Sequence, residues 1–375
     1  MDGAGAGIRY PWEAAPEPGH ALQVADGVLW IRLPLPMALD HVNIYALDEG
    51  DHWTIVDTGV HSRKAVAIWQ DLLAGVLQGK PVGRVILTHH HPDHVGMAGW
   101  LMQEQGADLW TTRTAWLMAR MLILDCEERP SAQARAFWRR AGMDAAIYDK
   151  RCNERPFNFA DIAHPLPVGY TRVQQGDVIR AAGRDWDVHI GAGHAPEHLT
   201  LWSRDCNLVI SGDQILPSIS PNIGVYATEP EADPLADWLE ACERLGQLAR
   251  EDHLVLGGHK LPFTGLPFRM RQLIDNHHGG LRRLLAHLDQ PRVASACFAP
   301  LFKRRIDEGT YGLALVETVA HLNHLHKLGQ VTREMGEGGA WLWQVARSDA
   351  AGSSRALTRA AGRSRADARR GQVAR

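Results

Sequence analysis

The chain is poor in cysteine: 375 residues hold only Cys126, Cys152, Cys206, Cys242 and Cys297. They are scattered, odd in number and form no CxxC pair. That spacing excludes a disulfide framework and a thiolate zinc site, and it favours a reducing compartment. An excess of one charge is also missing, the formal net charge being −3. A near-neutral chain gives no global case for nucleic-acid or membrane binding. No apolar run is long enough to span a bilayer. The opening MDGAGAGIRYPWEAAPEPGH has no basic start followed by an apolar stretch. No secretory signal is read there, and a cytoplasmic protein is expected.

Apolar residues make up 45% of the chain, enough for a real core. The length suggests two domains, or one large domain with an appendage. Residues 1–20, rich in Gly, Ala and Pro, are expected to form a flexible arm. From Ala21 to Gly59 the text alternates as short strands joined by turns. Ser62–Leu77 has helical spacing, Val82–Leu87 reads as a buried strand, and Val95–Gln105 reads as a helix. Thr111–Lys150 reads as an inserted pair of helices near the site. Further strands are expected at Thr171–Val173, Trp186–His189, Thr200–Ser203, Leu208–Ser211 and His253–Leu256, with a helix at Asp233–Arg250. This alternation predicts sheets covered by helices.

Near Thr264 the character changes. Leu266–Leu288 and Tyr311–Leu328 read as helices, and Gln330–Thr332 can pair with Trp341–Val345. That order predicts a small winged-helix domain over residues 266–346. Residues 347–375 have almost no large apolar side chains, and a disordered basic tail is expected.

Histidine is abundant, at 20 residues, and its densest cluster is VILTHHHPDHVG. It follows an apolar strand. Alternation lets His89 and His91 share one metal ion, while Asp93 and His94 on the following turn can face a second. Imidazole and carboxylate suit zinc, with iron or manganese as alternatives. His90 points the other way and is read as a non-ligand. Four residues cannot complete two sites. IGAGHAPEH, VISGDQI and LVLGGHK supply His194, Asp213 and His259, each after an apolar strand and a glycine.

THHHPDHVG followed by GAGHAPEH, SGDQI and GGHK, with VDTG at Val56–Gly59 upstream, resembles the metallo-β-lactamase superfamily over about Ala21–Thr264. The resemblance implies a four-layer αβ/βα sandwich, an α/β fold, with the site at one edge of both sheets. It implies that His89, His91 and His194 bind one metal, that Asp93, His94 and His259 bind another, and that Asp213 bridges them. Asp57 would stand behind the ligands and orient their loop. Aspartate rather than cysteine at 213 is similar to the glyoxalase II and nuclease branches. APEH is similar to glyoxalase-like hydrolases with a C-terminal winged helix. Leu266–Val345 resembles the winged-helix domain of the lactamase-beta-like endoribonuclease group. It differs from the glutathione-binding helical domain of glyoxalase II, which argues against glutathione thioesters.

The expected chemistry is hydrolysis by a water shared between two metals, with Asp93 shuttling a proton to the leaving group. His198 is weighed as a group behind the ligands or touching substrate, and Tyr226 as an oxyanion donor against plain packing. His321, His324 and His326 are read as a polar helix face. Lys303–Arg305 is read as a solvated charge run. Selectivity is expected from the Thr111–Lys150 insertion and the Pro217–Thr228 loop. The leading function is hydrolysis of an ester, thioester or other small acyl compound, by a protein that does not engage membranes and can form a homodimer. A metal-dependent endoribonuclease on single-stranded RNA is the alternative. A metal-binding regulator that contacts DNA through the winged helix is a third reading.

Overall fold

The structure, a computed structural model, describes residues 7–346, so the expected basic tail lies outside the described residues. Strands β1 (Ala21–Ala25), β2 (Val28–Pro34), β3 (His41–Asp48), β4 (Trp53–Val56), β5 (Val82–Ile86), β6 (Asp108–Thr111) and β7 (Thr171–Arg172) form one sheet in that order. Its first four strands are antiparallel, and from β4 onward the pairing is parallel. Strands β8 (Val178–Ala181), β9 (Arg184–Gly191), β10 (His198–Ser203), β11 (Leu208–Gly212) and β12 (Leu254–Gly257) form the second sheet, with only β11 and β12 parallel.

Three apolar layers show how the sheets stack. Trp30, Tyr45, Val56 and Ile86 meet Trp186, Val188, Leu201 and Ile210 between the sheets. The outer face of the first sheet is covered by α1 (Arg63–Ala74), by α3 (Ala98–Gln105), which follows the single turn α2 (Pro92–Val95), and by α4 (Arg113–Leu124). The outer face of the second sheet is covered through Trp238, Leu245, Met270 and Leu315 by α7 (Pro234–Gly246), α8 (Leu266–His287) and α10 (Glu308–Lys327). Two inner sheets and two outer helical layers make the expected αβ/βα sandwich. Residues with apolar side chains on both faces, as in β3, are buried along nearly their whole length because each sheet is sandwiched.

The insertion carries three helices rather than a pair: α4, α5 (Ala132–Arg140) and α6 (Ala145–Asn153). Pro130 precedes the Ser131 cap of α5, and Gly142, at φ +67°, turns the chain before the Asp144 cap of α6. The N-terminal arm is also not loose throughout. Arg9 and Thr264 exchange backbone hydrogen bonds, and Trp12 packs edge-on against Trp30 at 6.3 Å. Two tryptophans supply apolar area that a Gly- and Pro-rich count overlooks.

Beyond β12, α8, the short helix α9 (Phe298–Leu301) and α10 are closed by the hairpin β13 (Val331–Met335) and β14 (Trp341–Val345). Helix α10 is buried almost all round, so its histidines are not a solvated face. His321 bonds His277 at 3.3 Å, and His324 pairs with Asp233 at 3.1 Å. No helix of the described residues is long and apolar enough to cross a membrane.

Candidate active site

The site forms where strand ends of both sheets meet. β5 ends in the loop of His89 and His91, and α2 carries Asp93 and His94. The turn between β9 and β10 supplies His194, the end of β11 supplies Asp213, and the end of β12 supplies His259. The structure brings all seven together. The ligating atoms of His89, His91 and His194 lie within 4.8 Å of one another, as do those of Asp93, His94 and His259, and those of His89, His94 and Asp213. Asp213 reaches both sides: Oδ2 is 3.6 Å from His194 Nε2 and 3.1 Å from His259 Nε2, and Oδ1 is 3.5 Å from His94 Nε2.

What stands behind the imidazoles fixes their orientation. His94 Nδ1 lies 2.7 Å from Asp57 Oδ2, His194 Nδ1 is 2.8 Å from the Asn222 carbonyl, and His259 Nδ1 is 2.7 Å from the His41 carbonyl. A carbonyl or carboxylate only accepts, so Nδ1 donates in each case and, whenever the ring is neutral, Nε2 keeps its lone pair. His94 Nε2, His194 Nε2 and Asp213 Oδ1 are buried with no hydrogen-bond partner among the described residues. Buried acceptors left without donors, beside carboxylates, fit a cation.

Electrostatics divide the cluster in two. Burial, reinforced by neighbouring imidazoles, holds His89 and His91 well below the ordinary histidine range, and burial also lowers His194. Those three are neutral and ready to ligate. Burial disfavours charge at His94 as well, but Asp93, Asp213 and Asp57 outweigh it and raise the group well above its usual value. At His259 burial is likewise outweighed, by Asp213 and then Asp93, and the group is raised to about 9. Burial alone would raise both carboxyls; the imidazoles of His94 and His259 hold them below their usual value instead.

The other expected site residues fall into place individually. Asp57, at φ +60° after β4, accepts from Thr88 N and Thr88 Oγ1 at 2.8 Å each as well as from His94. His198 is fully buried. Its Nε2 accepts from Asp213 N at 3.1 Å, and its ring stacks on His89 at 4.6 Å. His90 is buried and belongs to none of the three ligand groups. Tyr226 is 48% exposed, with its ring over Gly224.

Sequence reasoning missed the supports of the His259 loop. Asn43 Nδ2 donates to the carbonyls of Gly257 and Lys260, Tyr45 donates to Gly257 O at 2.8 Å, and Arg32 donates to Lys260 O at 2.7 Å. The signal was available: Asn43 is a lone amide inside the otherwise apolar core of HVNIYALD. Gly258 is demanded by space, since a Cβ there would lie 2.8 Å from His94 Cε1 and closer still to Asp213 Oδ1.

The model of the metallo-beta-lactamase superfamily matches residues 37–259, and that of the metallo-beta-lactamase-like C-terminal domain matches 281–346. A beta-lactamase domain protein from Burkholderia ambifaria is 35% identical, with a TM-score of 0.83, over 90% of this chain and 98% of that one. A metallo-beta-lactamase family protein from Thermus thermophilus is 28% identical, with a TM-score of 0.71, over 86% and 100%. The Bacillus subtilis (strain 168) protein named "Probable metallo-hydrolase YqjP" is 25% identical over 322 residues, 82% of this chain and 94% of that one. With its buried His/Asp cluster at the edge of two sandwiched sheets, the chain belongs to the metallo-beta-lactamase superfamily and is a metallo-hydrolase.

Proposed function

We propose that the protein is a dinuclear hydrolase of an ester, thioester or other small acyl substrate, of the glyoxalase II-like type, with zinc as the preferred metal. The observation that carries this reading is Asp213, which stands between the two ligand groups with one oxygen near His94 and the other near His194 and His259. His89, His91 and His194 would hold one ion, and Asp93, His94 and His259 the other. Two such ions, when bound, lower the pKa of a shared water and polarise the substrate carbonyl. The protein's own work is orientation. Asp57, the Asn222 carbonyl and the His41 carbonyl hold three imidazoles with Nε2 inward. Asp93, with its side chain 16% exposed, is the ligand placed to pass a proton to the leaving group.

A second reading is cleavage of single-stranded RNA. It is favoured by the exposed run Lys303–Arg305, beside a C-terminal unit whose helices and hairpin fit a winged helix. Charge reversal of all three residues separates the two. For acyl hydrolysis the reversal should change kcat/KM by less than about tenfold, under roughly 1.4 kcal/mol, with little dependence on salt. Binding to RNA would weaken steeply with salt. Metal-dependent RNA cleavage abolished by the reversal, with no acyl substrate turned over, would replace the first reading with the second.

A further inference from the structure

The loop after Asp213 is held by two helices that follow β12. Arg269 of α8, itself 5% exposed, donates to the carbonyls of Leu216 and Ile219 at 2.6 and 2.7 Å. Ser220 lies 3.3 Å from His277 of the same helix. The next contacts all go to one face of α10. Asn222 Nδ2 donates to Leu313 O at 3.2 Å and to Glu317 Oε2 at 2.8 Å, and Val225 N donates to Val316 O at 3.1 Å. Residues 313, 316 and 317 are three and four apart, so they share that face. Both amide protons of Asn222 are therefore spent on α10. The carbonyl of the same residue accepts from His194 Nδ1 at 2.8 Å.

We infer that Glu317 is a positioning residue for His194, and that the C-terminal unit is thereby part of the metal site rather than an appendage to it. The path is short. The Glu317 carboxylate fixes the Asn222 side chain, this fixes the peptide plane whose oxygen receives the His194 proton, and that hydrogen bond aims Nε2 at the ligand cluster. Without Glu317 the amide keeps one partner and the carbonyl can swing. The inference rests on the reading of His194 as a ligand.

Cobalt(II) titration of the metal-free full-length chain, followed by its ligand-field absorption and by chelator competition, tests it. Glu317→Ala should weaken the affected cobalt equivalent about tenfold and alter its band. Glu317→Gln keeps an acceptor for Asn222 and should stay within about threefold of the wild type. Glu308→Ala, on the same helix but in an exposed pair with Lys150, should change nothing. Asn222→Asp removes the donors and should resemble Glu317→Ala. Adding Glu317→Gln to it restores a donor–acceptor pair and should recover part of the affinity. The last two variants decide the matter if Glu317→Ala does not fold. Wild-type cobalt affinity in Glu317→Ala, equal damage in Glu317→Gln, or no recovery in the double variant overturns the inference. His194→Ala separates the two levels. If it keeps both cobalt equivalents, the ligand reading fails and takes the inference with it. If it loses one while Glu317→Ala does not, only the positioning role fails.

Discussion

Asp57 Oδ2 and His94 Nδ1 lie 2.7 Å apart in the interior, with His94 fully buried and Asp57 nearly so. Asp57 follows the last residue of β4, and His94 sits in α2, after one helix and one strand have intervened. The same carboxylate takes two hydrogen bonds from Thr88. One side chain thus orders both the start of the histidine loop and the imidazole at its end.

Asp57→Ala should therefore leave three donors unpaired, at about 1–3 kcal/mol for each buried group that finds no water. Metal affinity should fall about 10- to 100-fold. Denaturant titration of the metal-free protein and metal content after dialysis would measure the two effects. Unchanged metal retention in a folded Asp57→Ala protein would contradict the orienting role.

Gly258→Ala isolates space from backbone freedom. The added methyl would press on Asp213 and His94, while Gly258 is not among the positive-φ glycines. Overpacking of this kind costs about 1–3 kcal/mol, so the fold should survive. Metal stoichiometry should drop. A variant that binds metal like the wild type would show that the site yields more than its packing suggests.

His198→Ala distinguishes support of Asp213 from contact with substrate. The imidazole is buried and accepts from the Asp213 amide. Turnover should fall about tenfold or more, with KM within about threefold. An effect confined to KM would return His198 to the substrate pocket.

Acid stability should carry the signature of the buried histidines in the C-terminal unit. Burial holds His277 at about 3 and His321 at about 4, with lesser contributions from neighbouring histidines. The unfolded chain takes up these protons near the ordinary value of about 6.5. Between there and pH 3–4 it binds more protons than the folded chain. Stability is fully present above about 6.5 and is lost as pH falls through that window. Replacing His277 with Gln should flatten the slope by up to about 1.4 kcal/mol per pH unit. Parallel denaturation curves for both proteins between pH 6.5 and 4 would contradict this assignment.

Some of the protein was legible from local chemistry alone. Alternation is a short-range signal, so most strands and the covering of sheets by helices could be read along the chain, while the two-sheet architecture was implied by the resemblance; β6 and β8 went unread. The ligands could be read for a similar reason: they follow apolar strands, and HHHPDH places four of them within six residues. Partners remote in sequence were not legible. Which nitrogen of His259 faces the cluster is decided by a carbonyl 218 residues away, and which nitrogen of His194 by one 28 residues away. The histidines of α10 looked polar because composition does not reveal that a helix is enclosed along most of its length. A sequence names the donors and acceptors that folding will bring together, but a hydrogen bond needs both at about 3 Å. For Glu317, Asn222 and His194 only the packing of α10 against the loop after Asp213 supplies that distance.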